Sequence, residues 1–474
     1  MRINHNISAL NACNILGKTN NRLDASLERL SSGYRINRAA DDAAGLAISE
    51  KMKTQIAGLE QASRNASDGI SVIQTAEGAL VEVETMLQRM RELSVQAANG
   101  VNTDSDRAAI QDEIDQLNEE INRVSTTTEF NTKKLLNGTV DRRSYSNNEN
   151  VELISMSDSV SADNDYELKI DMGPQQAEVT TTFGAGAAIK AGKISINGGT
   201  DVIVTEGQSL EDVYAALRTA GEAANVTIKP IKGVTDATTG DTTYEEATIQ
   251  DATGFSIVTD DFGTDAALKI YVDNPELADA LGLDSKIIKN GANAKVELGA
   301  GFNKTATVSV NGEYVTVKDL DDFEMKFKVN NAAGDVKVSV LDAGPMDLQI
   351  GANEGQIMEV RIPRVDTDTL EITNVNVRTQ DGAQQAITSF ENAVNQVSAI
   401  RAKLGAYQNR LEHAINSLDV AAENLTESLS RIADTDMARE MANYTQQQVL
   451  AQAGTSMLAQ ANERPQNVLQ LLQS

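Results

Sequence analysis

The chain has 474 residues, no Trp, a single Cys and a formal net charge of −28. That is length for two to four domains, with too few large aromatic anchors for one thick core. The charge excludes nucleic acid as a partner, which needs clustered Lys and Arg, and the lone Cys13 closes no internal disulfide, so cysteine pairing does not set the redox compartment.

The first proline is Pro174, and a proline-free stretch of that length permits long helices. Residues 3–33 form a first helical segment with Ile3, Ile7, Leu10, Leu16, Leu23, Leu27 and Leu30, ending at Gly33 as a C-cap. After the connector GYRINRAADD a helix of about 44–98 follows, ~80 Å long at 1.5 Å per residue. Its seam reads Met52, Leu59, Ala62, Ala66, Ile73, Ala76, Leu80, Val83, Leu87, Met90, with Gln55 and Gly69 filling two slots. Asn99-Gly100 stops it. A third helix of 104–127 carries Ile110, Ile114, Leu117, Ile121 and Val124, again at 4-3 spacing, and the short connection makes it an antiparallel neighbour.

Beyond Gly138 the texture changes to Gly, Thr, Asp and Asn with alternating Val and Ile, the pattern of strands. Six of the eight Phe lie between 183 and 327, which predicts an independent core there, and residues 139–380 carry 40 acidic against 20 basic side chains, a solvated acidic surface. Ile194-Ser195-Ile196-Asn197-Gly198 and Val308-Ser309-Val310-Asn311-Gly312 form a weak internal repeat, and Asn-Gly between alternating strands predicts a hairpin at each. Ser209 with Asp212 predicts a capped helix over 209–223. Residues 344–380 read as extended.

The C-terminal helix is expected over 383–432, its seam Ile387, Phe390, Val394, Val397, Leu404, Leu411, Ile415, Leu418, Ala422, Leu425, Leu429, Ile432, with polar Arg401 and Gln408 in two slots. Asp434-Thr435-Asp436 breaks it. A last segment runs to about 460, where Pro465 is expected to interrupt it before the apolar Val468, Leu469, Leu471 and Leu472. Seams at both ends of one chain need cover and are natural partners, which makes the middle an insertion on a helical stalk. The fold class is therefore mostly α at both termini, a long antiparallel bundle or coiled coil, with an inserted β-rich α+β outer domain.

No catalytic constellation is visible. The only histidines, His5 and His413, stand apart from any Cys or carboxylate cluster, and there is no HExxH, P-loop or GxSxG. Asp41-Asp42 reads as a helix N-terminus, whose dipole favours acids, and Asp319–Asp322 as a solvated turn. Neither enzyme activity, a metal nor a cofactor is expected. On the second helix Arg89, Leu93 and Gln96 fall off the seam, which points either to a second helix packing there or to a partner. No run approaches the ~18 apolar residues of a membrane span, so no membrane insertion is expected. The opening MRINHNISALNAC lacks the apolar stretch of a cleaved signal, and by general signals alone the protein reads as cytoplasmic.

Four stretches change that reading. MRINHNISALNA, LSSGYRINRAADDAAGLAI over 30–48, LQRMRELSVQ over 87–96 and QAGTSMLAQAN over 452–462 resemble the terminal signatures of bacterial flagellin, and the resemblance covers about 1–138 and 345–474. It implies a subunit that polymerises with itself into the helical flagellar filament for motility. It also implies an extracellular flagellar location, reached through the flagellar type III export apparatus without a cleaved signal peptide, and a dedicated export chaperone on the C-terminal helices. Cap and hook-junction proteins are the further partners.

The implied layout is a terminal inner-tube domain of 1–43 plus 435–474 and a helical core domain of 44–138 plus 345–434 with a β-hairpin. A variable outer domain of 139–344, in one or two subdomains, completes it. The Asn/Gln-rich ends carry narrow apolar stripes, Ile3, Ile7, Leu10, Leu23, Leu27 and Leu30, then Met457, Leu458, Val468 and Leu471. These are expected to polymerise, staying disordered in the monomer and folding when neighbours arrive. In this family host Toll-like receptor 5 reads the surface around the QRxRELxVQ motif, which carries over to Arg89, Leu93 and Glu113. Two departures stand out: Leu348–Gln356 resembles a hairpin motif that usually precedes the variable region, and Cys13 is unusual inside a tube segment. The alternatives are a hook–filament junction protein, or a surface adhesin that binds through the acidic middle.

Overall fold

The computed structural model describes residues 6–473 apart from 158, 185–188, 200, 236–241, 321 and 331–332, with backbone alone for 234–235, 242–243 and 464–473. Its helices are α1 (Ile7–Ser32), α2 (Ala43–Ala97), α3 (Asp104–Thr127), α4 (Leu210–Ala223), α5 (Pro275–Leu281), α6 (Gln380–Ala433) and α7 (Met437–Gln473). None of the described helices is long and apolar enough to cross a membrane. The chain divides into two compact units: Met1–Gly69 with Leu348–Met358 and Arg410–Ser474, and Ile70–Asp347 with Glu359–Asn409.

In the first unit α1 begins at Asn6, whose Oδ1 accepts from the Ala9 amide at 3.1 Å, and ends at Gly33 with φ 78°. That left-handed cap is where glycine costs least. The chain then forms a short bridge with the α6–α7 junction: Arg35 N donates to Ala433 O and Thr435 N to Gly33 O. Asp42 Oδ1 accepts from Gly45 N at the start of α2, and Asp41 Oδ2 accepts from the Asn37 and Arg38 amides, so the Asp41-Asp42 pair shapes a helix entry. These amide bonds hold the Asp41 carboxyl below its ordinary range. The hairpin of Met346–Gln349 and Ile357–Val360 lays its tip on α2, where Asn65 Nδ2 donates to Gln349 O. Two glycines let it approach: a Cβ at Gly58 would stand 2.9 Å from the Ala352 Cβ, and one at Gly69 would stand 2.4 Å from Leu348 Cδ1, so that the leucine would have to shift.

In the second unit the seams of α2 and α6 close on each other. Ile73, Ala76, Leu80, Val83, Leu87 and Met90 are wholly buried, as are Phe390, Val397 and Leu404. The polar slots pair as well. Arg401 meets Glu84 and Glu77, Gln408 Nε2 donates to Glu77, and Arg91 meets Glu391, an antiparallel register. α3 opens with a capping box between Thr103 and Asp106. Its buried Arg107 donates to Ala97 O and Asn99 O, satisfying carbonyls left open at the end of α2. Gln111 and Asn122 then fasten α3 to the 361–379 segment, where turns over 367–374 replace much of the extended run expected there: Gln111 Oε1 accepts from Val377 N, and Asn122 and Thr367 exchange hydrogen bonds.

Among the described residues the middle of the chain holds four antiparallel four-stranded sheets. Two of them, from residues 143–172 and 295–341, share a core of Tyr166, Leu168, Val315, Val317, Phe327 and Val338. The other two, from 176–290, enclose Ile194, Ile196, Phe255, Leu268 and Ile270 together with Val213 and Leu217 of α4. Both Asn-Gly sites turn hairpins. Gly192–Ile196 pairs with Val202–Val204 through Asn197 and Gly198, both at positive φ, and Thr307–Asn311 pairs with Tyr314–Lys318 through Gly312. α4 starts at Ser209, which accepts from Asp212 N. Of the Asp319–Asp322 turn, Asp321 lies outside the described residues; Asp319 accepts from Thr305 and Asn303 side chains.

A further expectation fails at the C-terminal end. α7 does not stop near 460 but runs unbroken through Pro465 to Gln473. The residue-465 amide would have bonded to Ala461 O, and proline has none to give. That carbonyl instead accepts from Asn6 Nδ2 at 2.9 Å.

Candidate functional site: the outward faces of the terminal helix pair

α1 and α7 lie against each other. Ala9, Ala12, Leu16, Thr19, Leu23, Ser26 and Leu30 of α1 are covered in an unbroken 3-4 repeat, with Ala25, Glu28 and Arg29 partly covered beside it. The covered positions of α7 are Glu440, Tyr444, Gln447, Ala451, Gly454, Leu458 and Ala461, equally regular. Leu16 sits over Gly454, where a Cβ would come within 3.3 Å of it, and Arg29 reaches Glu440 at 3.9 Å. The seam is thus largely small and polar, which allows close approach but buries little apolar area.

Several large apolar side chains point away from the seam. Ile7, Leu10 and Ile15 of α1 are 63–68 % exposed, and Leu27 of α1 with Val449 and Met457 of α7 53–61 %. At ~100° per residue, Ile7 and Leu10 fall on the side of α1 opposite the seam. Each such side chain contributes roughly 1.5–3 kcal/mol when buried, a contribution this chain does not collect by itself. Exposed apolar patches of this kind mark contact surfaces.

A second face lies on α2 and α3. Arg89 Nη2 and Nε donate to Glu113 Oε1 at 2.9 and 3.0 Å, and Arg89 also meets Glu92 at 3.5 Å. The Arg89 side chain is half exposed. Leu93 is 2 % exposed and turned into the protein, so of the two sequence readings for this off-seam leucine, burial favours helix packing. Among the described residues no group of His, Cys, Asp and Glu could hold a metal ion.

Comparison with known proteins decides the family. The bacterial flagellin N-terminal helical region matches residues 3–141 and the bacterial flagellin C-terminal helical region residues 387–472. The chain is 36 % identical to a flagellin of Clostridium tyrobutyricum over 98 % of this chain and all of that one. It is 34 % identical to flagellin D of Vibrio anguillarum and 33 % to polar flagellin B/D of Vibrio parahaemolyticus, each over 100 % of this chain and 99 % of the relative. The chain belongs to the bacterial flagellin family. Flagellins are structural subunits rather than enzymes, and the chain is a subunit of the flagellar filament, which is extracellular. The cytoplasmic reading drawn from general signals is thereby corrected.

The residues named from the sequence for polymerisation divide on this flagellin. Ile7, Leu10, Leu27 and Met457 are exposed, while Leu23, Leu30 and Leu458 are half-buried in the seam between α1 and α7. Ile3, Val468 and Leu471 lie outside the residues whose side chains are described. Of the receptor-motif residues, Arg89 and Glu113 meet directly and Leu93 lies inside. Sequence reading missed the seam itself, whose signal was the 3-4 recurrence of Ala, Thr and Ser between the larger residues. It also missed Asn6 and Arg107, which act on carbonyls whose need for a partner appears only when helix ends are placed.

Proposed function

We propose that copies of the chain polymerise through the outward faces of α1 and α7, with 1–43 and 435–474 as the inner tube, 44–138 and 345–434 as the surrounding core and 139–344 projecting outward. The exposed Ile7, Leu10, Leu27 and Met457 carry this reading: they stand outside the seam of their own helix pair. Protease digestion tests it. Cleavage within 1–33 and 437–474 should be rapid in the monomer and suppressed at least ~10-fold in polymer; equal rates in both states would refute the assignment.

The chain travels unfolded through the flagellar type III export apparatus without a cleaved signal, with a chaperone on its C-terminal helices. Cap and hook-junction proteins bound the polymer at its ends. Toll-like receptor 5 contacts the half-exposed Arg89 and Glu113, and Leu93 supports them from beneath. Arg89→Ala should lower reporter-cell signalling about 10-fold without moving the monomer's thermal melt, whereas Leu93→Ala, a buried truncation, should lower both. Unchanged signalling by Arg89→Ala rules this face out.

A further inference from the structure

The Asn6 side chain performs two tasks at once. Its Oδ1 accepts from the Ala9 amide at 3.1 Å, which caps α1, and its Nδ2 donates to Ala461 O at 2.9 Å. Ala461 is four residues before Pro465, so its carbonyl is the one that the missing proline amide leaves open inside α7. Asp, Ser and Thr cap helices about as well as Asn. Asn differs in carrying an acceptor and an amide donor on one short planar group. Both bonds are met in one amide orientation alone, with oxygen toward α1 and nitrogen toward α7.

The position of this contact matters. One end of the α1/α7 pair is held by the backbone bridge of Gly33–Arg35 with Ala433–Thr435 and by Arg29 beside Glu440. Between the ends the seam is mostly small and polar, which holds a helix pair weakly. The far end carries the exposed Ile7 and Leu10.

We propose that Asn6 is a positioning residue for assembly: it closes the free end of the α1/α7 pair by supplying the hydrogen bond that Pro465 withholds from Ala461, and so presents Ile7 and Leu10 to a neighbouring copy in helical geometry. This rests on the assembly reading above. Pro465 has a function in it, since the proline turn frees the carbonyl that ties α7 to the start of α1.

A two-by-two set of full-length chains tests the proposal: unmodified, Asn6→Ser, Pro465→Ala and the double variant. Serine keeps the cap without adding charge, but its one hydroxyl sits a bond closer to the backbone and lacks the separate amide arm that reaches Ala461 O; alanine at 465 restores the helical amide for Ala461 O. The readout is the critical concentration for elongation on seeds of unmodified filament, which also measures a variant that does not polymerise alone. Asn6→Ser should raise it about 3- to 10-fold while Pro465 is present and by less than about 2-fold once Pro465 is Ala, because the carbonyl is then already paired. An equal fold-change in both backgrounds, or none with Pro465 present, overturns the proposal. Failure of the unmodified chain to elongate on its own seeds would instead sink the assembly reading.

Discussion

The helical half of the second unit and the terminal pair of the first use the same 3-4 spacing to opposite ends. Between α2 and α6 the seam is Leu, Ile, Val, Met and Phe, and at Leu80, Leu87, Phe390 and Leu404 nothing is left exposed. Between α1 and α7 the seam is Ala, Thr, Ser, Gly and Gln alongside Leu, and Ile7, Leu10 and Met457 face out. On the proposed assembly the difference separates folding from association: large residues turned inward stabilise the single chain, and large residues turned outward are the proposed contacts of the polymer. The long seams pass between these regimes along their own length. On α2, Met52 and Leu59 are half-buried before Ala62 and Ala66 are fully covered, and on α6 burial fades after Leu411, with Ile415, Leu418, Leu425 and Leu429 half-buried.

The sharpest break in this comparison comes from the buried seam. Phe390→Ala should cost the monomer about 3–5 kcal/mol, read from denaturant unfolding; a loss under about 1 kcal/mol would mean that the α2–α6 seam does not carry the fold. Next is the exposed face. Ile7→Ala combined with Leu10→Ala should leave the monomer melt within about 0.5 kcal/mol of the original and raise the critical concentration for polymerisation roughly 10- to 100-fold. A destabilised monomer with unchanged polymerisation would reverse the roles assigned to the two regions.

The smallest expected effect is local, at the start of α3. The Thr103 hydroxyl and amide hold the Asp106 carboxyl below its ordinary value of 3.8. A carboxyl depressed in the folded state adds stability above the unfolded value and loses it as pH falls through the folded one. Amide hydrogen exchange at 104–107, corrected for intrinsic rates, should therefore rise below about pH 4. In Asp106→Asn that pH dependence should flatten; its persistence would assign the effect to another group.

Much of the fold was legible in the sequence because periodicity and caps are local. The missing prolines, the 4-3 spacing of Ile110, Ile114 and Ile121, Gly33 after the first helix and the Asn-Gly pairs each act within a few residues, and their elements stand where they were expected. The candidate site was legible in part. The spacing of Ile7 and Leu10 gave an apolar stripe, but which stripe of α1 meets α7 depends on residues more than 400 positions away. Leu93 read either as helix packing or as a partner contact, and its burial favours packing.

By itself, then, the sequence determined helical ends, a β-rich acidic middle and a family resemblance carried by long motifs, all set by neighbours along the chain and by which residue types tolerate which backbone. Only the tertiary structure decided that the terminal pair meets through a mixed seam of Leu with small and polar residues, and that α7 passes through Pro465. It also decided that two nested β cores occupy the insertion, one of them enclosed between the strands of the other in chain order. The reason is physical: a proline or an off-seam leucine breaks a local rule, and whether that break is tolerated depends on a partner such as Asn6 that folding alone brings within 2.9 Å.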